Sequence, residues 1–224
     1  MRKLILIISL GLLLTNCTSE KKSDKEQKVE FNEELANELL ELKEIDQLAA
    51  NSKPKQYEHL SNNEWQSVKD SIFRKNKTRA EEILNKYGYP GYDLVGEKGS
   101  FSFWLIVQHC DFDPEFQKKV LLELKKQVDN GNANSRNFGL LTDRVRLNTG
   151  KKQVYGTQVT YISSQCRAIP KPLKDSANVN KRRAEVGLEP IEEYLNLMSE
   201  MHFEMNKENM INRGVTEPYV YKTQ

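Results

Sequence analysis

Apolar residues recur at intervals of three and four along most of this chain, and polar runs with Gly or Pro separate one such stretch from the next. From Asn32, the positions Leu35, Leu39, Leu42, Ile45, Leu48 and Ala49 describe one face of an amphipathic helix, with Asn32 as N-cap and Glu33 and Glu34 beside the positive helix end. Lys53-Pro54 stops it. A second helix is predicted from about Asn63 to Tyr87, with Trp65, Val68, Ile72, Ala80, Ile83 and Leu84 turned inward and Gly88 and Pro90 as its terminators. Tyr89 to Gly99 contains three glycines and a proline and reads as a surface loop. The helix that follows, from near Ser100 to His109 or Cys110, is apolar around most of its circumference and is expected to be the central one. Asp113-Pro114-Glu115 is a compact helix start: a capping carboxylate, Pro at the first helical position and an acid at the positive end. Phe116, Val120, Leu124 and Val128 carry that helix to a Gly/Asn loop at Asp129 to Asn134.

The period then changes. Ser135 can cap a short helix through about Leu141, after which β-branched residues flank Asn148-Thr149-Gly150-Lys151, a pattern that predicts a β-hairpin between Val145 and Thr160 with Gly156 as a bulge or close-approach point. Ile169 to Leu173 reads as irregular, Val179 to Val186 as a short helix ended by Gly187, and Glu189-Pro190 as the start of a last helix through Met201. The expected fold is α+β, mainly α: a helix-rich domain over 31–205 with a single β-hairpin, followed by a loose tail over 206–224.

The N-terminus has a different character. Arg2 and Lys3 precede an apolar run, Leu4 to Leu14, too short to span a bilayer comfortably, and Leu14-Thr15-Asn16-Cys17 reads like the lipobox of a bacterial lipoprotein. In this reading residues 1–16 are removed, Cys17 is lipidated, and 17–30, rich in Lys, Glu and Ser, is a tether too polar to fold. An uncleaved anchor is the alternative, and Asn16 is unusual before such a Cys. Both alternatives place the domain outside the cytoplasm, in the cell envelope, with the membrane as partner through Cys17. Without Arg2 and Lys3 the 34 basic residues become 32, equal to the 32 acidic ones, so no cationic surplus is available for nucleic acid. Cys110 and Cys166 can be a disulfide or two buried thiols.

Candidate chemistry gathers in two places. Gln108, His109, Asp111 and Asp113 lie between two helix signals, where an imidazole with a carboxylate neighbour can act as general acid or base; His109 and Asp111 are the candidate catalytic residues. The same residues can equally be helix caps, and they are too few for a metal site, so neither metal nor cofactor is assigned. The second group is Arg144 with Tyr155, Thr157 and Gln158, joined by Gln108 and Arg182: a guanidinium fork, a stacking face and neutral hydrogen-bonding groups suited to a sugar or peptide fragment. Its plain alternative is structural, with Tyr155 and Gln158 paired across the hairpin and Asp143 in a salt bridge to Arg144.

The pieces Trp104-Leu105-Ile106-Val107-Gln108-His109, Asp113-Pro114, Phe116-Gln117, Leu141-Thr142-Asp143-Arg144-Val145, Gln153-Val154-Tyr155-Gly156-Thr157-Gln158 and Arg182-Arg183 with Val186-Gly187-Leu188 occur in the order seen in an uncharacterised bacterial family. The chain resembles that family, a domain of unknown function, from about Leu35 to Leu195. The resemblance implies no activity. Three functions stay open: a ligand-binding or accessory module, a hydrolase acting on an envelope glycan or peptide through His109 and Asp111, and a protein-interaction module.

Overall fold

The computed structural model describes residues 29–222. The lipobox with Cys17 and nearly all of the tether fall outside these residues. Among the described residues the fold is mainly α with one two-stranded antiparallel sheet: α1 (Glu33–Ala50), α2 (Asn62–Tyr87), α3 (Tyr92–Gln108), α4 (Pro114–Asp129), α5 (Ser135–Asn148), β1 (Val159–Ile162), β2 (Arg167–Pro170), α6 (Val179–Glu185), α7 (Ile191–Met205) and α8 (Lys207–Asn212).

Local chemistry accounts for the ends. Asn32 accepts the Leu35 N–H at 2.9 Å, opening α1. Ser61 and Glu64 form a reciprocal capping box on α2, and Gly88 at φ +72° closes it. Asp113 accepts the Phe116 N–H at 3.0 Å to open α4 with Pro114 next in line.

The central helix is α3, packed against α1, α2, α4 and α5. Leu39, Ala80, Phe103, Val107, Val120, Leu124 and Leu141 meet in its core with no solvent exposure. Each of the larger apolar side chains there contributes about 1.5–3 kcal/mol by leaving water. A smaller cluster of Ala168, Val179, Ile191 and Leu195 joins the sheet to α6 and α7.

Four sequence expectations need correction. The segment read as a loop at Tyr89 to Gly99 already contains the first turn of α3: Asn132 holds it, accepting from Tyr92 N–H through its carbonyl and from Asp93 N–H through its side chain, both at 2.9 Å. Gly96, at φ +70°, kinks the helix there.

The helix read as ending at Leu141 continues as α5 to Asn148, because Asn137, Leu141 and Val145 repeat at four residues and are all buried. Asn148-Thr149-Gly150 is its C-terminal stop, with Gly150 at φ +72° and Lys151 N–H returning to the Arg146 carbonyl at 2.7 Å. The hairpin therefore lies further along the chain, with Thr160 opposite Ile169 and Pro170 paired with Val159, in part within residues read as irregular. Finally, the segment read as a loose tail carries α8, and Tyr221 straps it down by donating its N–H to Asn196 and its hydroxyl to the Ala168 carbonyl, both at 2.6 Å. Cys110 and Cys166 are free thiols in separate clusters.

Candidate active site

The end of α3 presents His109 as its C-cap, followed by a tight turn in which Asp113 N–H reaches the Cys110 carbonyl at 2.9 Å. On one side of this turn, Nδ1 of His109 lies 2.6 Å from Oδ2 of Asp46, near the C-terminal end of α1. Asp46 is fully buried, whereas the His109 side chain is 25% exposed. A buried carboxylate accepts from Nδ1–H, so the neutral ring carries its proton on Nδ1 and leaves Nε2 as the free base. Gln47 donates to the same Asp46 oxygen at 3.2 Å, and Asn76, buried on α2, reaches the other oxygen at 3.5 Å and the Leu42 carbonyl at 3.4 Å. The Phe73 ring packs 5.2 Å from the imidazole. The ring is thus fixed in orientation and partly open to solvent. A ring held in this way can exchange a proton at Nε2 with a group brought to it from solvent.

The other side of the turn is a separate network. Asp111 Oδ2 accepts from Arg144 Nη1 at 2.6 Å, and its Oδ1 accepts from Asn148 at 2.8 Å and from Gln117 at 3.1 Å. Gln117, fully buried, also donates to the Val107 carbonyl at 3.0 Å and accepts from Asn148 at 3.1 Å. Asp111 therefore ties α3 and α4 to α5, and His109 takes Asp46 as its partner. Asp113 is a helix cap whose second oxygen meets Lys77 at 3.0 Å; the Phe116 N–H, and then Lys77, hold its carboxyl below the ordinary range.

Cys110, beside the imidazole in sequence, gives its thiol to the Ile106 carbonyl at 3.4 Å. Burial, reinforced by the Asp46 charge, pushes that thiol well above its usual range, so it is a packing group and not a thiolate nucleophile. Among the described residues no three His, Cys, Asp or Glu side chains come together as a metal-holding group.

Of the groups read as a ligand wall near the hairpin, the Thr157 hydroxyl and the Arg182 guanidinium bond within the fold, while Tyr155 and Gln158 are held through their backbone atoms. Asp143, fully buried, does not pair with Arg144; it accepts from Val154 N–H at 2.6 Å, Tyr155 N–H at 3.1 Å, Thr157 N–H at 2.9 Å and the Thr157 hydroxyl at 3.0 Å. Tyr155 and Gln158 both precede β1. The Gln158 backbone N–H goes to Gln153 Oε1 at 2.7 Å, and Gln153 Nε2 returns to the Gln158 and Lys171 carbonyls, each at 2.9 Å. Arg182 is spent on the carbonyls of Val154, Lys174 and Asp175. Its neighbour Arg183 is fully buried and donates to the carbonyls of Tyr155 and Glu189. Gly156 is a close-approach point, but a Cβ there would meet Ile191 Cδ1 at 2.7 Å, so its neighbour is α7.

Thr142 Oγ1 and Arg183 Nη2, and with them Gln108 Nε2 and Arg144 Nε, are buried with no hydrogen-bond partner among the described residues. Four surface concavities, of about 300 to 540 Å³, lie elsewhere: at α8, at the α3–α5 entrance, along α1 and between α1 and the start of α3. None of these four is lined by His109, Arg144 or the hairpin-side residues.

Sequence reasoning missed Asp46 and Asn76. The signal was present: Leu35, Leu39, Leu42, Asp46 and Ala49 follow the three-four rhythm better than a stripe through Ile45, which is 49% exposed. Asn76 likewise occupies an inward slot between Ile72 and Ala80. Polar residues in two facing apolar stripes mark a buried polar contact.

The profile of a family of unknown function, DUF6624, matches residues 33–206, which spans α1 through the end of α7. The chain belongs to that family. No curated protein and no solved structure matches it. The matched span includes both partners of the Asp46–His109 pair and the whole Asp111–Arg144 network.

Proposed function

We propose that this is a lipid-anchored protein of the bacterial cell envelope whose helical domain performs acid–base chemistry, of the hydrolytic kind, on an envelope glycan or peptide. The single observation that carries the reading is the 2.6 Å contact of His109 Nδ1 with the fully buried Asp46, which orients a partly exposed imidazole and leaves Nε2 free. Nε2 takes a proton from water or a substrate hydroxyl and returns it to the leaving group, while Asp46 stabilises the imidazolium formed between the two transfers. The imidazole opens directly onto the surface, and such a placement suits a polymer laid across the domain better than a small molecule enclosed by it. Cys17 supplies the anchor, and 17–30 the tether.

Incubation of the purified full chain with peptidoglycan fragments and with chromogenic esters and glycosides tests the chemistry. Product release that disappears in His109→Gln and falls in Asp46→Asn is expected; equal release by His109→Gln overturns the proposal. Membrane fractionation of Cys17→Ser tests the anchor: the variant is expected in the soluble fraction, and unchanged retention removes lipidation as its cause.

A further inference from the structure

The concavity at the α3–α5 entrance, about 300 Å³, is built from both helices: Tyr92, Glu97, Lys98 and Phe101 come from α3, Asn137 from α5 and Asn134 from the α5 N-cap. Its walls are fixed. Tyr92 N–H is held by the Asn132 carbonyl at 2.9 Å. Trp104 ties the two helices together, its Nε1 donating to the Asn137 carbonyl at 2.9 Å while its ring packs 5.5 Å from that of Phe101, centroid to centroid. A ligand entering here meets groups already in place, so little ordering opposes its binding.

Asn137 is the group that architecture does not account for. It sits in the inward stripe of α5 with Leu141 and Val145, is 9% exposed, and gives its backbone N–H to Asn134 and its carbonyl to Trp104. Its side-chain amide makes no hydrogen bond among the described residues. Unlike Nε2 of Gln108, neither polar atom of that amide is sealed from solvent, and the residue lines the concavity. An enclosed amide with a donor and an acceptor to spare is answered by a ligand group that both gives and takes a hydrogen bond.

The groups around it narrow the choice of ligand. Phe101, 44% exposed, offers an aromatic face at the mouth, and the exposed Glu97 and Lys98 place an acceptor and a donor at the rim. Burial, and then the Glu97 charge, push the Tyr92 phenol above its ordinary range, so it keeps its proton; Asn134 hydrogen-bonds to it. An anion does not match, because Asn134 Oδ1 already caps the α5 N-terminus at 3.2 Å from Asn137 N–H and the Glu97 carboxylate repels negative charge. A peptide backbone answers the Asn137 amide alone. A sugar ring answers more: its C–H face lies on an aromatic ring, and its adjacent hydroxyls donate to a carboxylate, accept from an ammonium and do both with an amide. The volume stands at the small end of ligand pockets and suits one such residue.

We propose that the α3–α5 entrance is a saccharide subsite for one uncharged sugar residue, with Phe101 as its stacking face and the Asn137 side-chain amide as its specific contact. The subsite does not rest on the acid–base reading. It lies where α3 meets α5, whereas His109 turns to Asp46 on α1.

The test is a titration of the full chain with N-acetylglucosamine and with glucose, beside N-acetylglycinamide as a neutral peptide probe and inorganic phosphate as an anion, followed by NMR of the Asn137 side-chain amide and the Trp104 indole N–H. Saturable shifts of both resonances with at least one sugar, with affinity on the order of 1 mM, and none with the peptide probe or phosphate are expected. Phe101→Ala removes the exposed ring, and Asn137→Leu replaces the amide with an apolar group of similar size; each is expected to weaken sugar binding roughly tenfold. Neither variant breaks a side-chain hydrogen bond within the fold, and an unchanged circular dichroism spectrum confirms that each is folded. His109→Gln is expected to keep the sugar shifts while losing turnover, so failure of the acid–base reading and failure of the subsite are separate results. Absence of a saturable shift with either sugar, an equal or stronger response to N-acetylglycinamide or phosphate, or wild-type sugar affinity in either Phe101→Ala or Asn137→Leu overturns the subsite.

Discussion

Asp46 and His109, 63 positions apart in sequence, meet at 2.6 Å because α1 and α3 lie side by side, and only the imidazole of the pair reaches solvent. The contact therefore has a structural cost when either partner is lost. His109→Ala leaves a fully buried carboxylate with only its amide donors, Gln47 and a distant Asn76. The expected loss is about 2 kcal/mol. Urea denaturation checks this: Asp46→Asn, which preserves shape but removes the charge, is expected to lose less than His109→Ala, and the reverse order would show that the carboxylate does not depend on the imidazole.

Two buried glutamines on either side of the same turn make a controlled comparison. Gln117 is fully satisfied, by Val107, Asp111 and Asn148, whereas Nε2 of Gln108 has no partner. Gln117→Met should cost about 1–3 kcal/mol by stranding its partners. Gln108→Met should be neutral or stabilising, since it removes a buried donor that has no acceptor. Thermal melts of the two variants decide; equal destabilisation would assign both glutamines to architecture.

Asp113 provides a pH-dependent term. Its carboxyl is held below the ordinary range, first by the Phe116 N–H and then by Lys77, so the folded state favours its ionised form. A carboxylate with a depressed folded pKa contributes stability that is present above the unfolded value, about 3.9, and is lost as pH falls through the folded one. Asp113→Ala is expected to cost about 1 kcal/mol at neutral pH. The gap to wild type should close in acid denaturation at the low-pH end, and a constant gap down to that end would contradict the capping role.

Gly156 has φ +72°, and a Cβ there would lie 2.7 Å from Ile191 Cδ1. Gly156→Ala should destabilise by about 2 kcal/mol through backbone strain and the clash together. Since Cδ1 is the end of a flexible side chain, Ile191→Val in the same chain should restore part of the loss. Full restoration would mean the backbone conformation costs nothing.

Most of the helices were legible because their ends carry their own chemistry: Asn32, Gly88, Asp113-Pro114 and Gly187 act within one turn of themselves. The start of α3 was not, since it depends on Asn132, about forty residues further along the chain. The hairpin was misplaced because Asn148-Thr149-Gly150 serves a helix end as well as a β-turn, and the buried stripe of α5 decided between them. At the site, the imidazole was legible as a polar group at a helix junction, but its partner was not: Asp111 is near in sequence and turns to α5, while Asp46 is distant and comes in from α1. Arg144 found a carboxylate of its own, and Tyr155, Thr157 and Arg182 proved to hold the hairpin side together around Asp143 and the loop carbonyls. Side-chain lists of the right chemical type do not disclose which atoms the fold has already used.

The most direct test of the acid–base account is the rate of product release from peptidoglycan fragments by the full chain, measured side by side for wild type, Asp46→Asn and His109→Gln. The account predicts release by wild type, a reduction of roughly 10²-fold or more in His109→Gln and an intermediate rate in Asp46→Asn. Equal rates in wild type and His109→Gln, or no release by wild type from any fragment, would contradict it.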